Sequence, residues 1–120
     1  MKTAAAVLVA LVALAHVWFL VLESFLWTTP FGQRALRMTP EQAAQTAVLA
    51  RNQGLYNGFL AAGLVWGLLP GTADPVAVQT FFLSCVAVAG VVGALTAARA
   101  IFFLQALPAL VALAAVHAAR

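Results

Sequence analysis

Long apolar runs separated by short polar segments are the dominant pattern of the chain. Residues 3–27 are almost unbroken Ala, Val, Leu and Phe, and about 20 such residues cross the hydrocarbon core of a bilayer as a helix. Runs of similar length cover residues 76–97 and 99–117. The alternating apolar and polar segments of a membrane β-barrel are absent. The pattern therefore predicts an all-α protein.

The remaining apolar run follows a polar helix start. Thr39 has the position of an N-cap, Pro40 that of the first helical residue, and Gln42 that of the capping-box partner. The helix that begins near residue 40 is polar at first and becomes apolar after Asn57. We interpret residues 52–69 as its membrane span. The whole chain is then predicted to be one integral membrane domain, a transmembrane four-helix bundle.

Three connections join these predicted spans. The first, residues 28–39, contains Pro, Gly and two arginines, and the second, residues 70–75, has the composition of a tight turn. The third, within residues 95–100, has neither Gly nor Pro. The start of the first span also resembles a secretory signal. Because its apolar run continues well past the small-residue site at 13–15, we expect a retained helix.

Composition supports lipid as the main solvent of the chain. Hydrophobic residues make up 65% of the sequence and charged residues 8%, against roughly a quarter charged in soluble domains. The net charge of +3 comes from scattered residues, so we expect no nucleic-acid partner. The single cysteine, Cys85, excludes an intrachain disulfide.

The basic residues set the expected orientation, because cytoplasmic loops are enriched in Lys and Arg. More of them lie on the side of the first and third connections than on the side of the termini. We therefore expect residues 28–39 and 95–100 in the cytoplasm, both termini outside, and a bacterial inner membrane. The first side holds Arg34, Arg37, Arg51 and Arg99, and the other holds Lys2 and Arg120, partly offset by Asp74.

Polar residues on the first span share one stripe. His16, Glu23 and Trp27 are spaced seven and four residues apart, which places them on the same side of a helix. A carboxylate that faces lipid is strongly disfavoured, so this stripe should face the bundle interior or water. A structural ion pair of Glu23 with Arg51 or Arg99 is the alternative to a functional acid.

A second group of polar residues opens the helix that follows residue 40. Asn52 and Tyr56 lie one turn apart, as do Gln53 and Asn57. Asn57 is six residues inside Arg51, and Gln105 is six inside Arg99, or about 9 Å along each helix. We therefore expect polar groups from several spans to line one cavity near one membrane face, with an arginine neutralising the carboxylate. That set is Glu23, Gln53, Asn57 and Gln105.

Purely structural roles for these residues stay open. Gln53 and Asn57 are also typical of interhelical hydrogen bonds, and a lone His16 of a hydrogen-bonded core residue. Gly54/Gly58 and Gly63/Gly67 have the Gly-x-x-x-Gly spacing that lets helices approach closely. Such faces suit packing within the chain and also a homo-oligomer.

Three stretches carry a resemblance to a known family. Residues 16–30 (HVWFLVLESFLWTTP), 52–63 (NQGLYNGFLAAG) and 105–108 (QALP) resemble a family of small bacterial and fungal integral membrane proteins known only as a domain of unknown function. The resemblance covers nearly the whole chain. It implies a compact four-span protein and supplies no activity.

The leading functional hypothesis is a pocket that binds or processes a small amphipathic molecule or a lipid, because acid, amide and phenol groups occur at one depth beside apolar walls. Glu23 would be the general acid/base and Tyr56 a proton donor. We predict no metal and no cofactor, and expect membrane lipids and a small amphipathic ligand as partners. The predicted ligand-binding residues are His16, Trp27, Arg51, Asn52, Gln53, Asn57, Arg99 and Gln105.

Other functions remain open at this point. A proton-coupled exporter of hydrophobic cations has the same size and a first-span glutamate, and it should bind such cations more weakly once Glu23 is protonated. A glutathione-using membrane enzyme is a more distant analogy, because the spacing from Arg51 to Asn57 does not match its pattern. A purely structural membrane subunit is the third alternative.

Overall fold

The structure, a computed structural model, describes residues 2–120, and every regular element in that range is helical. This confirms the all-α prediction. Five α-helices and two short π-helical turns follow one another along residues 2–120. They are α1 (Lys2–Val21), the first π-turn (Leu22–Leu26), α2 (Pro30–Leu36), α3 (Pro40–Leu68), α4 (Pro75–Thr96), the second π-turn (Phe102–Ala106) and α5 (Leu107–Ala119).

Three helical segments among the described residues are long and apolar enough to cross a membrane, which indicates a membrane protein. They are Lys2–Leu26, Pro75–Thr96 and Phe102–Ala119, and they correspond to three of the four predicted spans. The fourth predicted span, residues 52–69, corresponds to the second half of α3, which ends at Leu68. Its polar residues lower the hydropathy of that helix, so length and composition alone do not mark it as a span.

The start of α3 confirms the predicted capping box. The Gln42 backbone N–H donates to the Thr39 hydroxyl over 3.1 Å, and the Thr39 backbone N–H donates to the Gln42 side-chain oxygen over 2.9 Å. These two bonds satisfy backbone donors that the first helical turn leaves without an intrahelical partner. The helix ends at Leu68, shortly before Gly71, whose φ of 88° is readily adopted only by glycine.

The first connection contains a short helix that the sequence analysis did not anticipate. Thr29 caps α2 by accepting from the Gly32 N–H over 3.1 Å, and Pro30 occupies its first turn. Arg37 ends the helix in the left-handed conformation, with a φ of 54°. The Thr-Pro start signal here is the same as at Thr39 and Pro40, so the sequence did contain the information for this helix.

The second π-turn has a local cause. Pro108 has no backbone N–H and so cannot donate to the carbonyl four residues earlier. In the turn just before Pro108, the Leu107 N–H bonds to the Phe102 carbonyl, which is five residues earlier and not four as in an α-helix. Gln105 lies within this turn and Glu23 within the first one. Single π-turns inside α-helices occur often at functional sites.

The chain forms two compact units. The first contains Leu60–Arg120 together with the start of the chain up to Leu14, and the second is Ala15–Phe59. The first unit holds an apolar core of tightly packed aliphatic side chains. Its fully buried members include Val9, Leu64, Leu83 and Val86.

Candidate functional site

Glu23 and Asn57 meet inside the second unit. The Asn57 amide nitrogen Nδ2 donates a hydrogen bond to the Glu23 carboxylate oxygen Oε1. Asn57 is 4% exposed, whereas Glu23 is half-buried. A buried amide without a partner costs free energy, and so does a desolvated carboxylate. Each group therefore satisfies the other, and part of the glutamate stays reachable from outside.

Gly54 allows the helices that carry this pair to approach closely. A Cβ atom at Gly54 would overlap the Ser24 hydroxyl, and it would lie 3.1 Å from the Ser24 backbone nitrogen and 3.2 Å from the Glu23 Cβ. Even an alanine there would displace the Ser24 hydroxyl and require the Ser24 backbone to move by a few tenths of an ångström. The distance between Glu23 and Asn57 thus depends on a glycine one turn earlier on α3.

Two further hydrogen bonds connect the same segments. The Ser24 hydroxyl donates to the Arg51 carbonyl oxygen over 3.2 Å. The Trp27 indole N–H donates to the Thr46 hydroxyl over 2.9 Å, and that hydroxyl donates to the Gln42 carbonyl over 2.8 Å. Together with the Glu23–Asn57 bond they form a series of contacts from residue 23 to residue 27, which fixes the register of the two antiparallel segments. We call this series the α1–α3 ladder, after the helix that the first π-turn continues and the helix that it contacts.

The face of α3 that makes these contacts consists of small residues and Asn57. Ala43, Ala50, Gly54 and Ala61 are buried at spacings of four or seven residues, which place them on one helix face. Asn57 lies within this stripe. Its burial follows from its position among small residues that let another helix come close.

The neighbouring polar residues of α3 lie off this face. Arg51, Asn52, Gln53 and Tyr56 are exposed, and the Tyr56 side chain is 61% exposed. The carboxylate of Glu23 is bonded to the amide of Asn57, and among residues 2–120 no ion pair joins it to Arg51. The expected neutralisation of Glu23 by Arg51 or Arg99 stays a prediction. Because all five side chains are polar, polarity alone could not predict that Asn57 is buried and the other four are exposed.

The other predicted site residues have separate environments. His16 is 1% exposed and packs edge-to-face on Phe19, with ring centroids 5.2 Å apart. It is seven residues from Glu23 on the same helix, or about 10 Å along the axis, too far for direct contact. Arg99 is exposed and Gln105 is half-buried in the first unit, and their part in a site stays a prediction.

Ser24 and Thr46 are the residues that sequence reasoning missed. Both are small hydroxyl residues, which are common in helices without any special role. Their spacing contained a usable signal, because Thr46 lies on the same face as Ala50 and Gly54, and Ser24 directly follows the glutamate. Hydroxyls on faces lined with small residues often bond across membrane helices.

The arrangement is suited to holding a polar group. A half-buried carboxylate with one oxygen fixed by a buried amide is oriented before any ligand arrives, which lowers the cost of binding. Glu23 can accept a hydrogen bond from a hydroxyl or an ammonium group, or donate one when protonated.

Comparison with known protein families identifies the family of this chain. Residues 10–117 match the family described as "Protein of unknown function (DUF1304)". A relative named "Uncharacterized protein YpaA", from Lactococcus lactis subsp. lactis (strain IL1403), is 30% identical over 109 residues, which cover 89% of this chain and 91% of the relative. No solved structure matches. The chain belongs to the DUF1304 family of proteins of unknown function.

Proposed function

We propose that the chain is a four-span protein of the bacterial inner membrane in which Glu23 and Asn57 bind the polar head of a small amphipathic molecule or a lipid. The hydrogen bond between a half-buried carboxylate and a buried amide is the observation that supports this proposal most directly. Intramembrane ionisable residues are rare and mark functional sites more often than other residues do.

The position of Glu23 along its helix suits a headgroup site. It lies three residues from the end of the apolar segment Lys2–Leu26, or about 4.5 Å along the axis. The head of an amphiphile occupies the same depth, near the boundary between hydrocarbon and water. Its tail would then extend along the apolar part of the segment.

The length of α3 supports a fourth crossing. Its 29 residues extend about 43 Å, which exceeds a hydrocarbon core of about 30 Å. The exposed residues Arg51, Asn52 and Gln53 would lie at the membrane surface. Asn57, the polar residue deeper in the helix, is bonded to Glu23, and this contact lowers the cost of placing it in lipid.

Analysis of co-purified small molecules tests the proposed binding role. The chain would be purified from bacterial membranes in a mild detergent, and an organic extract analysed by mass spectrometry. Glu23→Gln keeps the oxygen that accepts from Asn57 and removes only the charge. Gln45→Ala changes an exposed residue of α3 away from the pair and is the matched control.

The wild-type chain and Gln45→Ala should retain the same bound species at near-stoichiometric levels. The amount of this species bound to Glu23→Gln should be at least about tenfold lower, because a hydrogen bond to a charged group is worth about 1.5–3 kcal/mol. A chain that carries no bound species, or equal retention by Glu23→Gln, would leave the pair with a structural role only.

A further inference from the structure

A cavity of about 230 Å³ opens in the first unit, and none of its lining residues belongs to the α1–α3 ladder. The start of α1, the start of α4 and the end of α5 border it. Its apolar lining includes Ala5, Val76 and Val116, of which Ala5 and Val116 are buried. At about 30 Å³ for each water molecule in the liquid, the volume far exceeds that of a single water molecule or small ion.

The charged side chains that line this cavity are both positive. They are Lys2 and Arg120, and Gln79 contributes an amide. The Gln79 amide nitrogen donates to the Gly67 carbonyl over 2.7 Å, which fixes its orientation. Asp74 is the acidic residue nearest in sequence, but it does not line the cavity, and its carboxylate caps α4 by accepting from the Ala77 N–H over 3.0 Å.

The cavity lies at the ends of membrane-spanning segments. Lys2 begins the segment Lys2–Leu26, Pro75 begins Pro75–Thr96, and Ala119 ends Phe102–Ala119. The ends of three apolar segments thus border the same cavity, which is lined by two cationic side chains and by apolar ones. Lys and Arg at such ends place their charges in the interfacial layer while their stems cover apolar surface.

We infer that this cavity binds an anionic amphiphile, with its carboxylate or phosphate head between Lys2 and Arg120 and the first part of its tail on Ala5, Val76 and Val116. The apolar floor disfavours a fully hydrated inorganic anion, and the two cations disfavour a neutral lipid. Neither Glu23 nor Asn57 lines this cavity, and the inference does not depend on the proposed function.

Nuclear magnetic resonance of the 15N-labelled full chain in phosphatidylcholine nanodiscs tests the inference. Octanoate is the anionic probe and octanol the neutral probe of equal chain length. Amide shifts of residues 5, 76, 79 and 119 report occupancy. The variant Lys2→Gln/Arg120→Gln removes both cations, and the control Arg34→Gln/Arg37→Gln removes two exposed cations that do not line the cavity.

Octanoate should shift these amides and saturate. Octanoate should bind the variant Lys2→Gln/Arg120→Gln with a dissociation constant about tenfold higher, because two charge-assisted contacts are lost. The control double variant should leave the dissociation constant unchanged. Octanol binding as tightly as octanoate, or equal weakening by the control variant, would overturn the inference.

Two further additions separate the sources of the ligand. Competition by phosphatidylglycerol included in the nanodisc would identify a lipid headgroup as the occupant, and octanoate binding without such competition would identify a free carboxylate amphiphile. Both results support the site. Inorganic phosphate that shifts the same amides with the affinity of octanoate would contradict it, because the apolar floor would then contribute nothing.

Discussion

At the residue scale, the structure separates polar side chains that look alike in the sequence. Glu23 and Asn57 were expected to converge from their spacing and depth, and the hydrogen bond between them confirms that proximity. The roles assigned to them stay predictions. Arg51 and Tyr56, which were assigned to the same site, are exposed, because the buried face of α3 consists mainly of small residues.

A double-mutant cycle on Glu23 and Asn57 measures how strongly the pair stabilises the fold. Asn57→Leu and Glu23→Leu should each lower the free energy of unfolding by about 1–3 kcal/mol, because each leaves a polar partner without its hydrogen bond. The double variant should lose less than the sum. Denaturant unfolding in detergent, followed by circular dichroism, gives the three values.

Gln45→Leu is the control for that cycle, since it alters an exposed position on the same helix. It should change the free energy of unfolding by less than about 0.5 kcal/mol. Additive effects of Glu23→Leu and Asn57→Leu would show that the two side chains are not coupled in the folded chain.

At the scale of helices, the Gly-x-x-x-Gly pattern predicted close helix packing but not which glycine lies at the closest contact. Gly54 and Gly58 form one Gly-x-x-x-Gly pair, yet their surroundings differ. A Cβ atom would overlap Ser24 at Gly54, while at Gly58 the nearest atom is Leu20 Cδ2, at an ordinary 3.4 Å. The glycine spacing could not distinguish the two positions. The close approach at Gly54 depends on the π-turn that contains Ser24, and the spacing does not predict that turn.

Alanine substitutions one turn apart test this difference. Gly54→Ala should destabilise the chain by about 1–3 kcal/mol, because the clash exceeds the gain in helix propensity. Gly58→Ala should be neutral or stabilising by up to about 1 kcal/mol. Thermal unfolding of both variants in one detergent gives the comparison, and equal effects would mean that α3 does not approach Ser24 as closely as described.

The glycines of the first unit also pack within the chain. A Cβ atom at Gly67 would lie 2.7 Å from Gln79 Cγ, and one at Gly63 would overlap the Phe82 ring. These contacts explain why small residues occur there without requiring a second copy of the chain. A homo-oligomer through the Gly-x-x-x-Gly faces stays a prediction.

At the scale of the whole molecule, hydropathy predicted the all-α class and three strongly apolar segments. It could not settle α3, because Arg51, Asn52, Gln53 and Asn57 lie where a span would begin. Hydropathy scores each residue separately and ignores a partner on another helix. The π-turns were also beyond the sequence analysis, although Pro108 accounts for the second one.

The central claim is that α3 crosses the membrane and so brings Asn57 to Glu23 within the bilayer. Labelling with a membrane-impermeant maleimide tests it most directly. Cys85→Ser removes the single native cysteine, and one new cysteine is then introduced at an exposed position in each variant. The substitutions are Thr3→Cys, Ala35→Cys, Ala73→Cys, Ala97→Cys and Ala118→Cys.

We predict that Thr3→Cys, Ala73→Cys and Ala118→Cys are labelled from outside intact cells, and that Ala35→Cys and Ala97→Cys are labelled only after the membrane is opened. Labelling of both Ala35→Cys and Ala73→Cys from one side, with Thr3→Cys and Ala118→Cys on opposite sides, would contradict the claim. The chain would then have three crossings, and α3 would lie outside the bilayer.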